Sequence, residues 1–78
     1  MKIDYSNAEL MLRNGVFISC EAHQIFDYWT FMMNTRSGDS YALSCTRGDQ
    51  KRFKSLDSLI KNASKIGFSD CSVKISHA

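Results

Sequence analysis

Three cysteines and two histidines are the soft, titratable groups with which this 78-residue chain could do chemistry: Cys20, Cys45, Cys71, His23 and His77. A metal site, or a nucleophile beside its base, needs two or more such groups to converge. Cys20 and His23 form a C-x-x-H pair. Three residues apart on an extended strand, they project to opposite faces, which works against chelation and against a thiol–imidazole dyad alike. Cys71 and His77 are six residues apart near the end of the sequence, and no C-x-x-C occurs. Buried free thiols are the ordinary use of cysteines spaced this way. The carboxylates are scattered, and Glu9 and Asp57 fit the first turns of helices, where they meet the positive end of the dipole. Gly48 stands alone, so no glycine-rich loop is present to cradle a phosphate. The expectation is a protein that is not an enzyme and carries no metal or cofactor.

The basic residues and the aromatics are more telling. Between positions 47 and 65 stand Arg47, Lys51, Arg52, Lys54, Lys61 and Lys65 against Asp49 and Asp57, a local charge of +4 in a chain whose total is +2. The remainder is therefore mildly acidic. Lys61 and Lys65 are one helical turn apart and project together. Such a face could neutralise several phosphates or speed encounter with an acidic protein, and the plain alternative is a solvated helix surface. Phe26 and Tyr28 offer a second surface, able to stack bases or to contact a protein partner.

The elements that must position these residues are legible from patterning. Ser55 can cap a helix whose apolar stripe is Leu56, Leu59, Ile60, Ala63 and Ile66, and Gly67 stops it. Cys71, Val73 and Ile75 then alternate as a last strand. Near the start, Ser6 to Glu9 fits a capping box, with Tyr5 stapling onto Leu10, for a short helix of about Asn7 to Asn14 ended by Gly15. Ala8, Met11 and Leu12 face inward in it. Residues 16–23 alternate, with Val16, Ile18, Cys20 and Ala22 on one face and Phe17, Ser19, Glu21 and His23 on the other. A tight connection near His23–Gln24 leads to a strand over Ile25–Thr35. Ile25, Trp29, Phe31 and Met33 share one of its faces; Phe26, Tyr28 and Met32 share the other. Arg36 to Asp39 reads as a turn, and Ser40–Thr46 as a third strand with Tyr41, Leu43 and Cys45 inward. A turn over Arg47 to Gln50 precedes a short extended piece through Phe53.

These elements predict an α+β fold of order α-β-β-β-α-β. Its architecture is a two-layer sandwich, an antiparallel sheet of three to four strands with two helices on one face, in one domain spanning 1–78. A core this small is expected to supply only about 3–5 kcal/mol, so self-association is one route to stability. If the helix-free face exposes Phe17, Phe26, Tyr28 and Met32, a homodimer through it covers the patch as well. The chain has no long apolar run for a leader or a membrane span, and its odd cysteine count argues against a disulfide framework. A cytoplasmic setting with no membrane contact is the expectation.

Arg47-Gly48, the run Arg52-Phe53-Lys54-Ser55-Leu56-Asp57 and Ile66-Gly67-Phe68 together resemble the small accessory proteins of plasmids and related mobile elements. In some of these, linked to partition or replication control, a similar run precedes the last strand. In size and layout the chain is also similar to phage-encoded inhibitors such as anti-CRISPR proteins. The resemblance implies an accessory or inhibitor protein that occupies a macromolecular surface and has no catalytic residue to carry over. A protein partner is favoured, through Phe26 and Tyr28 together with the basic residues. The alternative is a nucleic-acid-binding accessory protein that uses the basic helix face.

Overall fold

The computed structural model describes residues 1–45 and 48–76. Thr46, Arg47, His77 and Ala78 lie outside the described residues. The elements run β1 (Lys2–Ile3), α1 (Tyr5–Arg13), β2 (Phe17–Ile25), β3 (Tyr28–Thr35), β4 (Ser40–Leu43), β5 (Arg52–Phe53), α2 (Leu56–Ile66) and β6 (Ser72–Ser76).

The α+β class is as expected, but the sheet has six strands and is mixed, in the order β1-β4-β3-β2-β6 with β5 also on β3. β3 is antiparallel to β2, β4 and β5, whereas β6 is parallel to β2 and β1 to β4. The central strand thus runs against the other five. The cause lies in the helices. α1 joins β1 to β2 and α2 joins β5 to β6, and a helical crossover on one face returns the chain to start its next strand in the same direction. In the observed order each crossover joins strands three places apart, which an all-antiparallel sheet would have to run in opposite directions, so each side of the sheet contains a parallel pair. β1 and β5 are two residues each, too short to show any alternation in sequence.

α2 follows its sequence signals closely. The Ser55 hydroxyl accepts from the Ser58 amide at 3.2 Å, and Leu59, Ala63 and Ile66 are buried. Gly67 ends the helix at φ 123°, a conformation open to glycine and strained for other residues. α1 starts earlier than the Ser6 box implies: Asp4 is the cap, accepting from the Asn7 amide at 2.8 Å. A carboxylate at the helix start gains from the dipole as well as the hydrogen bond, so Asp4 outcompetes Ser6 two residues later. Glu9 does not close a capping box; it pairs with Arg13 one turn on, at 3.5 Å. Leu10, expected to staple onto Tyr5, is half exposed.

In β2 the inward face differs from simple alternation. Phe17 pairs with Thr35 but Ser19 with Asn34, so Ile18 is an extra residue in a bulge. The bulge carries Phe17 to the core beside Cys20 and Ala22 and leaves Ile18 exposed. The hairpin also turns later than expected. Ile25 pairs with Tyr28, and Phe26-Asp27 form a two-residue loop in place of the connection near His23–Gln24. Ile25 accordingly ends β2 rather than joining Trp29 and Phe31 in β3. The Arg36–Asp39 turn falls as read, with the Thr35 amide donating to the Asp39 carbonyl at 2.9 Å.

One core cluster joins the helices to the sheet. Phe31 and Met33 of β3 sit at its centre with Cys20, Leu43 and Leu59, all essentially inaccessible. Phe68, just past α2, meets Phe31 edge-on at 5.8 Å, and Tyr41 meets Phe17 at 5.7 Å, the T-shaped geometry that ring quadrupoles favour. β6 is an edge strand at the margin of this core. Val73 and Ile75 share the helix-side register of β2 yet remain about half exposed.

Candidate functional site

The two-residue hairpin between β2 and β3 presents the most unusual residue of the structure. Tight hairpin loops require positive φ, which is why asparagine, aspartate and glycine dominate them. Here Phe26 takes that place at φ 57°. Among the described non-glycine residues it alone has positive φ. A bulky side chain in the left-handed region costs about 1–2 kcal/mol. The ring repays none of this by burial: Phe26 is 74% exposed. A strained backbone holding an apolar ring in water is a feature that folding does not require.

The surface next to this tip belongs to the helix-free face of the sheet. Ile25 and Tyr28 flank the loop, and Tyr28 carries the Arg52 guanidinium 4.7 Å from its ring centre. β5 delivers Arg52 there by alternation, with Phe53 turned into the core. A depression of about 440 Å³ opens beside the pair, lined by Lys2, Ile25, Tyr28, Thr30, Asp49 and Arg52. Its balance is basic, with an aromatic wall.

Farther along the same face, β2 and β6 assemble a charged cluster. The Glu21 carboxylate contacts His23 Nε2 at 2.8 Å with one oxygen and Lys74 Nζ at 3.1 Å with the other. The hydrogen bond from His23, then that from Lys74, holds the Glu21 carboxyl below the usual carboxylate range. Glu21 and His23 were legible as same-face residues two apart. Lys74 joins them only because β6 lies alongside β2 with His23 opposite Lys74. This face is therefore more polar than the expected patch of Phe17, Phe26, Tyr28 and Met32. Phe17 is in the core, Phe26 is at the tip, and Tyr28 and Met32 are half-buried.

Among the described residues, the basic side chains do not form one surface. Lys61 and Lys65 project from α2 and Lys54 from the segment before it, all exposed. No carboxylate of the described residues lies within ion-pairing distance of these three. Lys51 is half-buried, its Nζ 5.4 Å from the Phe53 ring, and lines a separate depression of about 580 Å³ with Asp4, Cys45 and Asn62. Arg52 sits on the opposite side of the sheet from α2, stacked on Tyr28. Arg47 lies outside the described residues, as does His77. Cys20 is buried in the core while His23 faces the other way with Glu21, as their spacing implies. Among the described residues no group of three or more His, Cys, Asp or Glu converges as a metal cluster, and no helix is long and apolar enough to cross a membrane. No protein-family model matches this chain, and no curated protein sequence matches it.

Proposed function

We propose that this chain is a small non-enzymatic accessory or inhibitor protein, of the kind phages and plasmids encode, that acts by occupying the surface of a protein partner. Phe26 carries this reading. Its ring is the exposed apolar anchor, held in a strained conformation that the fold itself would relieve with asparagine or glycine. Ile25, Tyr28 and Arg52 form the flank on which a partner closes. Aromatic and arginine side chains dominate the energetics of interface centres, and an anchor ring entering a partner pocket commonly contributes about 2 kcal/mol or more, roughly thirtyfold in affinity. The decisive variant is Phe26→Asn, which suits positive φ and removes the ring. It is expected to keep or slightly raise the melting temperature while losing a partner that the wild type captures and that rebinds as a purified protein. A Phe26→Asn protein that binds this partner as tightly as wild type would refute the reading.

A second reading rests on the exposed lysines of α2 and the segment before it: a nucleic-acid-binding accessory protein that follows a phosphate backbone with Lys54, Lys61 and Lys65. Removing one phosphate-neutralising lysine flattens the salt dependence of binding by about one unit of slope. Lys61→Glu with Lys65→Glu should then abolish retention on a generic oligonucleotide at low salt. Absence of wild-type retention under the same conditions removes this alternative.

A further inference from the structure

Cys20 and Cys71 are far apart in sequence, and the odd cysteine count gives no reason to pair them. The fold does. β6 pairs in parallel with β2 from Glu21 opposite Ser72 onward, which brings the residues just before that pairing, Cys20 and Cys71, alongside each other. Adjacent strands lie about 4.8 Å apart, inside the Cα separation of roughly 4.4–6.8 Å that a disulfide spans. Both cysteines belong to the helix side of the sheet, Cys20 in the core and Cys71 packed against it. The Cys20 thiol donates to the Asp70 carbonyl at 3.1 Å, which draws the segment before β6 against β2. Burial raises both thiols above their ordinary range, Cys20 far more than Cys71.

Access divides the two in the same way. A surface depression of about 370 Å³ is lined by both cysteines together with Leu12, Ile18, Gly67 and Phe68. Cys71 also lines a neighbouring depression of about 330 Å³ with Ile60 and Ala63. Cys20 itself is only 2% exposed. Cys45 belongs to the separate depression beside Lys51, which accounts for the third thiol.

We propose that Cys20 and Cys71 are a redox pair that closes a reversible disulfide, fastening the edge strand β6 to the core. The oxidant is a low-molecular-weight disulfide of the glutathione class. The Cys71 thiolate attacks one of its sulfurs; that S–S bond breaks and the first small thiolate leaves. Cys20 then loses its proton to solvent and attacks the Cys71 sulfur of the mixed disulfide, expelling the second small thiolate. Two protein thiols are oxidised, and one small disulfide is reduced to two thiols. The high barrier to ionising Cys20 makes the second step the slow one, so closure accelerates as pH rises.

The test equilibrates purified full-length protein with oxidised and reduced glutathione and follows thiol titration under denaturing conditions, intact mass and peptide mapping. The expected result is a fall from three titratable thiols to one, a mass lower by two hydrogens, and a peptide joining Cys20 to Cys71. The melting temperature of the oxidised monomer should rise by about 10 °C or more. Cys45→Ser should oxidise as wild type does. Cys71→Ser, which leaves the buried position intact, should keep the reduced melting temperature and form no intramolecular disulfide. A glutathione adduct that persists on Cys71, a bond involving Cys45, or a disulfide between two copies of the chain would each overturn the proposal.

Discussion

The Arg52 guanidinium lies 4.7 Å from the centre of the Tyr28 ring, on the side of the sheet that the helices leave open. The contact ties β5, only two residues long, to β3 through side chains as well as through the Trp29–Phe53 and Thr30–Arg52 pairings. Stacking of this kind at a partly exposed site contributes about 0.5–1 kcal/mol. A double-mutant cycle in urea with Tyr28→Ala and Arg52→Ala should return a coupling of that size. Arg52→Lys should recover less than half of it, because an ammonium lacks the planar face. A coupling indistinguishable from zero would show that the pair is not held in solution.

The two candidate caps of α1 make opposite demands. Asp4 accepts from the Asn7 amide, so Asp4→Ala should cost about 1 kcal/mol of unfolding free energy. Ser6 sits inside the first turn, and Ser6→Ala should fall within about 0.5 kcal/mol of wild type. Reversed costs in chemical denaturation would restore Ser6 as the cap.

Gly67 combines two constraints. Its φ is 123°, and a Cβ added there would stand 3.2 Å from Leu12 Cδ2 of α1. The conformational penalty alone is about 1–2 kcal/mol for a residue with a side chain. Gly67→Ala should lower the melting temperature by roughly 5–15 °C, using about 4–8 °C per kcal/mol for a domain of this size. Gly38→Ala, also at positive φ but with open space around it, carries no such contact and should cost less.

Glu21 gives the fold an acid-sensitive element. Its folded pKa lies below the ordinary value of 4.5, so the unfolded chain takes up this proton first. The stabilisation is therefore complete above about that pH and is lost as pH falls through the depressed folded value. Glu21→Gln removes both the charge and this dependence. At neutral pH the variant should be less stable by about 0.5–1 kcal/mol, a discount that reflects partial exposure of the pair. The gap should close as melting temperatures are followed down below pH 4.5. A gap constant from neutral to acid pH would exclude Glu21 as its source.

Sequence by itself determined the local parts of this protein. α2 was legible in its cap, its terminating glycine and the buried positions Leu59, Ala63 and Ile66, because these are written within a few residues of one another, where short-range sterics and hydrogen bonds decide; Ile60 of the expected stripe is instead exposed. The same holds for the turn after Thr35 and for the opposite directions of Cys20 and His23, which follow from strand periodicity alone. Only tertiary structure decided which strands meet and in which direction. The crossovers of α1 and α2 made the sheet mixed, the bulge at Ile18 sent Phe17 inward, and the late turn put Phe26 at the tip. These are long-range outcomes: a strand's alternation says which residues share a face but carries no record of its neighbours. The pairing of Glu21 with Lys74, and the placing of Cys20 alongside Cys71, both depend on β6 returning to β2 from about fifty residues away, which no local pattern encodes.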